Sequence, residues 1–292
     1  MAFGRAAMRV LSSKPDLVHA HFAYAPGLAG AWLARRLRVP SVLTLHGSDV
    51  NVFPGVNNRM RARVVGAVVS ADAVTAVSRA LAQRADELTG RLPKVMPIGI
   101  QLTRFRGVPS RETARRSLGL PEEPPIVGYV GNLAPKKGVG EFLNALRCLA
   151  GDGIRGLVVG DGPLRSAVGA AEQVRYFGSQ PNERIPVFMA ALDVLVLPSY
   201  SEGLPTVLVE AGAVGVPVVA AAVGGVPELL ADGRGMLIPP GSVDALVDAI
   251  RKVLRDPRAA DERAMDFRQH VTEHYDADLN AARLLEMYRS LC

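Results

Sequence analysis

Short apolar runs alternate with longer segments of helical periodicity along most of the chain. Leu17–His21 and Ser41–Leu45 read as strands on either side of a helix over Pro26–Arg38. Ala73–Val77 is a third strand, followed by a helix opening at Arg79 and by Lys94–Ile98. Strand, helix, strand repeated in this way predicts right-handed crossovers and a parallel sheet. The Arg-, Pro- and Gly-rich stretch Gln101–Pro125 breaks the rhythm, with a short helix at Ser110–Leu118 capped by Ser110. A second series follows, with strands at Ile126–Val130, Gly156–Val159, Val174–Phe177, Val194–Leu197 and Pro217–Ala220, and helices at Gly140–Ala150, Ile185–Ala191 and Val243–Leu254. The pattern predicts an α/β fold of two doubly wound domains facing a cleft, over 1–105 and 106–260. The amphipathic stretch 261–292 reads as helices able to pack back across either unit. Ligands of such sheets bind at the C-terminal ends of the strands.

One segment stands out against this pattern. Ser201–Glu210 (SEGLPTVLVE) follows the strand-like run Asp193–Pro198 and places two glutamates eight positions apart around a helix start. Pro205 suits the first helical turn, and Gly215 with Pro217 supplies a stop. The uncapped backbone N–H groups of such a helix end favour a phosphate or diphosphate. Carboxylates on either side, Glu202 in the loop and Glu210 about one and a half turns inside the helix, suit vicinal hydroxyls. A sugar nucleotide is the ligand this arrangement suggests.

Composition narrows the class. The 292 residues are 49% hydrophobic and 21% charged, as in a globular protein with a good core. Cys148 and Cys292 are the two cysteines, with no disulfide framework and no zinc-type Cys/His spacing, so a reducing cytoplasm is the default compartment. The N-terminus lacks the apolar core of a signal peptide. The apolar window Leu204–Ala231 contains Glu210, Pro217, Pro227 and Glu228, and reads as buried helix–turn–strand rather than a membrane span. Charge is uneven: residues 1–116 carry 18 Lys/Arg against 6 Asp/Glu, whereas the rest carries 16 against 22. Arg59, Arg61 and Arg63 lie in the basic part, either as solvated arginines or as a patch for an anionic membrane or phosphorylated acceptor. Aromatics are 5% and no nucleic-acid motif occurs, which argues against nucleic acid as a partner.

Other motifs are weaker alone. Gly128–Gly138 is a strand, a loop with Gly131 and Asn132, and the lysines Lys136 and Lys137; backbone amides plus a lysine can hold a diphosphate. An ordinary strand–loop–helix junction is the plainer reading. Gly160-Asp161-Gly162 ends another strand in a tight turn that lets a nucleotide approach the backbone, or is simply a turn. His19, His21 and His46 sit at strand ends, with His46 opening into a glycine turn in Leu45–Asp49. A metal site from His19 and His21 lacks acidic or cysteine partners and is rejected.

Taken in order, these segments resemble the retaining glycosyltransferases of the GT-B fold, family 4 (group 1). The resemblance rests on Thr44–Asp49, Ala71–Ser78, Gly131 with Lys137-Gly138, Gly160–Pro163, Leu197–Ser199, the Glu202/Glu210 pair and Gly215–Val219, and spans Asp16 to Leu254. It implies two Rossmann-type domains and assigns roles. Lys137 would neutralise the departing nucleotide diphosphate, and Glu210 would bind the ribose hydroxyls. Glu202 with the backbone of Gly203, Leu204, Pro205 and Thr206 would hold the donor sugar and phosphates. His46 would lie near donor sugar and acceptor, and the loop after Phe177 would contact the base. No metal or other cofactor is implied. Asn132 stands where many relatives carry arginine, and Ile98 and Gln101 replace the usual asparagine and aspartate. Only about fifteen residues precede the segment matching Asp16–His21, so the N-terminal domain is expected to be incomplete.

The expected activity is transfer of a sugar from a nucleotide-diphosphate donor to a glycan or lipid-linked acceptor, with retention, in polysaccharide or glycolipid assembly. The expected place is the cytoplasm, including the inner face of the cell membrane. The alternative is a nucleotide-sugar-binding subunit or inactive remnant that needs a partner chain to supply the missing strands. A sugar-nucleotide epimerase of the same architecture is a third reading, against which the family pattern counts.

Overall fold

The apolar runs assemble into two separate parallel sheets. The structure is a computed structural model and describes residues 6, 8, 9 and 11–292; most of the segment read as lacking a signal peptide lies outside the described residues. Strands β1 (Val18–His21), β2 (Ser41–Leu45), β3 (Ala73–Ala76) and β4 (Lys94–Val95) form the first sheet in that order, each pair parallel. The second has six strands: β5 (Ile126–Val130), β6 (Arg155–Val159), β7 (Val174–Tyr176), β8 (Val194–Leu197), β9 (Val218–Ala221) and β10 (Met236–Ile238). Their order is β10-β9-β8-β5-β6-β7, all parallel. Every residue of β2, β5, β8 and β9 is buried, which explains why these strands read as continuous apolar runs rather than alternating ones.

Contacts divide the chain into two units. The first comprises the described residues up to Gly99 together with Ser201–Leu204 and Asp278–Cys292; the second comprises Ile100–Tyr200 and Pro205–Ala277. Residues 100–105 and 261–277 thus lie in the second unit. Its two ends are tied together where the Ile100 N–H donates to Tyr275 O (2.8 Å) and the Ala277 N–H to Ile100 O (2.9 Å).

In the first unit, helices Ala25–Leu37, Asn58–Ser70 and Arg79–Thr89 accompany the sheet. Asn57 and Ser78 cap the latter two by accepting from Met60 N and Leu81 N. The helix Asn58–Ser70 had no counterpart in the strand–helix pattern, because only Val64, Ala67 and Val68 of its residues are buried. The predicted strand Lys94–Ile98 shortens to two residues.

In the second unit, Val139–Cys148 and Val243–Arg255 pack into one core with β5, β6, β8 and β9, centred on Phe142, Leu146, Val158, Val196, Leu246 and Ile250. The helix Thr206–Val214 lies against Pro257–His274: a Cβ on Gly212 would fall 2.7 Å from Val271 Cγ2 and 2.9 Å from Phe267 Cε1, so only glycine permits that approach. The window Leu204–Ala231 is indeed a buried helix, turn and strand. Among the described residues no helix is long and apolar enough to cross a membrane. Cys148 and Cys292 are both exposed and unbridged.

Candidate functional site

Strand order decides where the second unit can bind a ligand. From β5 the chain proceeds to β6 and β7 on one side, then crosses to β8, β9 and β10 on the other. The β5 and β8 loops therefore diverge at their C-terminal ends, the switch point where open α/β sheets bind ligands. The β5 loop carries Gly131, Asn132 and Lys137. The β8 loop leads to Thr206 and Glu210. The two loops touch: the Tyr200 N–H donates to Lys136 O at 3.0 Å, and a Cβ on Gly138 would lie 2.0 Å from Pro198 O.

A second junction joins the β5 and β6 loops. Gly160, at φ +137°, packs so that a Cβ would fall 1.8 Å from Gly131 O, and a Cβ on Gly162 would fall 2.7 Å from Asn132 Oδ1. The Leu133 N–H donates to Asp161 O (2.9 Å) and the Leu164 N–H to Leu133 O (2.9 Å). Asp161 turns its carboxylate onto its neighbour's Gly162 N–H at 2.7 Å. The two glycine turns thus form one joined backbone surface, with Asn132 and Asp161 exposed on it.

The helix Thr206–Val214 starts later than predicted. Pro205 is its N-cap residue in an extended conformation rather than part of the first turn, and no side chain caps that end. The C-terminus matches the expected stop, with Gly215 left-handed at φ +86°. Glu210 is partly buried, and burial pushes its carboxyl above the ordinary glutamate range, while Arg104 partly offsets this. Arg104 donates to Asn182 O, and its Nε is buried without a hydrogen-bond partner.

The remaining predicted residues belong to the first unit. Gly203 stacks its backbone on the β2 loop, where a Cβ would fall 1.9 Å from His46 O; a Cβ on Gly47 (φ +132°) would fall 2.9 Å from Gly203 N. Asn51 Nδ2 donates to Glu202 O at 3.4 Å. Glu202, Gly203 and Leu204 are buried. The structure therefore joins His46 to Glu202–Gly203 in one unit. In the other it joins Gly131–Asn132 to Gly160–Gly162, with Lys137, Pro205, Thr206 and Glu210 on the same sheet's loops and following helix.

The His46 turn is held by Asp49, a fully buried carboxylate that accepts from Gly47 N (2.8 Å), His46 N (3.1 Å) and Ala23 N (3.1 Å). Asp49 thus closes the turn by accepting from the amides two and three residues before it, and it ties the turn to the distant Ala23 amide. Burial and the neighbouring His21 lower the His46 pKa, against which Asp49 acts. Arg104 beside Glu210 and Asn51 beside Glu202 had no local signal, because each lies far along the chain from its partner. Among the described residues no group of three or more His, Cys, Asp or Glu is arranged to hold a metal ion.

Comparison with known proteins agrees with this geometry. Residues 110–273 match the family described as Glycosyl transferases group 1, and residues 1–104 match Glycosyltransferase Family 4. TuaC of Bacillus subtilis, whose name assigns it to teichuronic acid biosynthesis as a glycosyltransferase, is 41% identical over 95% of this chain and 71% of its own length. The 2-deoxystreptamine N-acetyl-D-glucosaminyltransferase of Streptomyces fradiae is 34% identical over 94% and 71%. The chain spans 59% of the length of the D-inositol 3-phosphate glycosyltransferase of Streptomyces avermitilis. Among solved structures, sucrose-phosphate synthase from Thermosynechococcus elongatus has a TM-score of 0.85 at 25% identity, covering 99% of this chain and 77% of its own. Anabaena Alr3699/HepE in complex with UDP-glucose has a TM-score of 0.84 at 26% identity, covering 94% and 79%. These neighbours are GT-B glycosyltransferases, and two parallel-sheet units are what this chain shares with them. By sequence and fold, then, the chain belongs to the group 1, family 4 glycosyltransferases.

Proposed function

We propose that this protein transfers a sugar from a nucleotide-diphosphate-sugar donor to a glycan or lipid-linked acceptor, with retention of anomeric configuration. The observation that carries the reading is the switch point of the second sheet, where two mated glycine turns, a lysine loop and an uncapped helix end surround the ends of β5, β6 and β8. In this reading Gly131, Asn132 and Gly160–Gly162 offer backbone and polar surface to the nucleotide, and the loop after Phe177 meets the base. Lys137 takes up the charge of the leaving diphosphate, and the first-turn N–H groups after Pro205 and Thr206 face its phosphates. Glu210 accepts from the ribose hydroxyls. Glu202 and His46 contact the donor sugar, with the Gly203–Leu204 backbone holding Glu202 against the His46 turn. No metal or other cofactor is required. UDP-glucose bound to the HepE relative supports a nucleotide sugar as substrate.

The surface of the first unit supports a peripheral place for the reaction. Val50–Ala71 contains Arg59, Arg61 and Arg63 and no acidic residue, and Val52 and Val56 are exposed beside them. Cations interleaved with apolar side chains suit the inner, anionic face of a cell membrane, where lipid-linked acceptors reside.

Thermal-shift and calorimetric screening against UDP-, GDP- and ADP-sugars tests the reading, since a ligand bound only by the folded protein raises the midpoint. Donor hydrolysis or transfer is then followed in variants. Glu210→Ala is expected to weaken donor binding, and Lys137→Ala to lower turnover more than binding. If both variants bind and turn over donor like the parent, the site is misplaced.

A further inference from the structure

β1 and β2 end side by side, with His21 registered opposite Thr44, and Thr44 opposite Thr75 of β3. Strand periodicity of two therefore puts His19, His21, Thr44, His46 and Thr75 on one face of an otherwise apolar sheet. The C-terminal helix Ala277–Arg289 brings Tyr288 to that face. Four of the six ring nitrogens are engaged. His19 Nδ1 bonds the Tyr288 hydroxyl, and His19 Nε2 lies 2.7 Å from Thr44 Oγ1, which lies 2.7 Å from Thr75 Oγ1. His21 Nδ1 lies 2.8 Å from His46 Nε2. His21 Nε2 and His46 Nδ1 have no hydrogen-bond partner among the described residues.

His19 is pinned at both nitrogens. Its ring stacks on His21 with centroids 4.4 Å apart and planes 28° apart, so an exposed imidazole is held in place from below. Phe22, at φ +70°, lays its ring 4.6 Å from that of His46, centroid to centroid, with the planes 34° apart. A proton on any of these rings meets its neighbours at close range. Burial, then His21 and His46, lower His19 to about 4. Burial and His21 also lower His46, while Asp49, after the β2 turn, is the one anion acting on it, in the opposite direction. At neutral pH His19 and His46 are neutral, so each donates from one nitrogen and accepts at the other. Each of these contacts can be made with either partner as donor; taking the phenol, the stronger donor, as the start sets the direction of the His19 chain. The Tyr288 hydroxyl donates to His19 Nδ1, His19 Nε2–H donates to Thr44, and Thr44 donates to Thr75. Between His46 Nε2 and His21 Nδ1 either ring can supply the shared proton, and in both cases His46 Nδ1 and His21 Nε2 are left for groups outside the cluster.

We infer that His21 is a positioning residue: by accepting the Nε2–H of His46 it fixes that ring in one tautomer and leaves His46 Nδ1 as a bare acceptor for a hydroxyl of the sugar or of the acceptor alcohol. The hydroxyl's identity rests on the transferase reading above; the tautomer does not. His21 thereby acts through His46, and Tyr288 and His19 act through His21.

Nitrogen-15 NMR of the imidazoles in the ligand-free protein at pH 7.5 tests this directly, with His46 assigned by His46→Gln. His46 is expected in the Nε2–H form. His21→Ala, a change at an exposed position, is expected to leave the melting temperature near that of the parent yet mix the two His46 tautomers. His21→Asn, whose Oδ1 reaches where Nδ1 stood, restores the single form. In donor-turnover assays His21→Ala is expected to lower kcat about tenfold, short of the hundredfold or more that an acid–base group itself supplies, with donor KM changed less than about twofold, and His21→Asn to recover it. His46 found as Nδ1–H in the parent, or an unchanged His46 tautomer in His21→Ala, overturns the inference. Absence of any donor turnover in the parent counts against the transferase reading and leaves the tautomer result to decide the role of His21.

Discussion

Gly160→Ala probes the junction on which the proposed nucleotide site rests. The structure places the new methyl 1.8 Å from Gly131 O and 2.8 Å from Gly131 C, all backbone atoms that no rotamer change can move. Gly160 also sits at φ +137°, a conformation L side chains rarely adopt. Strain of about 1–2 kcal/mol for a side chain at positive φ adds to about 1–3 kcal/mol for overpacking, so the expected loss is about 2–5 kcal/mol. At roughly 2–4 °C per kcal/mol for a unit of this size, the melting temperature should fall by about 4–20 °C. Gly178 is the matched control. It accepts the Gly160 N–H at 2.8 Å and has φ +67°, but a Cβ there meets nothing within 4 Å. Gly178→Ala should therefore cost only the strain, about 1–2 kcal/mol. Urea titration followed by circular dichroism measures both variants, and calorimetry measures nucleotide-sugar affinity in parallel. If Gly160→Ala melts with the parent, or no lower than Gly178→Ala, the two turns are not mated as described.

Arg115→Ala should cost about 1.5–3 kcal/mol by urea midpoint, because Asp193 loses its buried charged partner while keeping the more exposed Arg111 at 2.9 Å. Arg115 is 5% exposed and also donates to Ala191 O at 2.9 Å, while Asp193 accepts from Ile126 N at 2.6 Å, so the pair anchors the helix Arg111–Ser117 to the sheet. Stability should also fall on acidification. His19 and His270 are each held near 4 against an ordinary 6.5, so the unfolded chain binds more protons between those values, and stability rises with pH across that window. His270→Gln should flatten part of the slope between pH 4 and 6.5 in stability measured against pH; an unchanged slope would refute the burial argument. Glu210 carries the opposite sign. Its carboxyl is raised by burial, so its contribution is present below the ordinary glutamate pKa and is lost as pH rises through the folded value. Glu210→Gln should therefore raise the melting temperature at pH 7 while weakening donor binding, and a lowered melting temperature would count against it.

The sequence by itself determined the strand–helix rhythm, because a fully buried parallel strand must be an unbroken apolar run. β2, β5 and β8 were found residue for residue, and the glycine turns after β5 and β6 could be placed from that rhythm. Glu202, Glu210, Lys137 and His46 were legible as candidates because their motifs are local and ordered. Boundaries that depend on non-local support were not. Pro205 fits a first turn on propensity alone, yet the tertiary structure uses it as an extended cap. Asn58–Ser70 buries too narrow a stripe to announce itself, and Lys94–Ile98 is apolar enough for five strand residues but pairs over only two. Only the tertiary structure decided which groups meet. It seated Gly203 on His46, placed Arg104 near Glu210 and carried Tyr288 back to His19 across 269 positions of chain. Hydrophobic period is written residue by residue, whereas these contacts arise only once the strand order is set and distant segments close on the same sheet end.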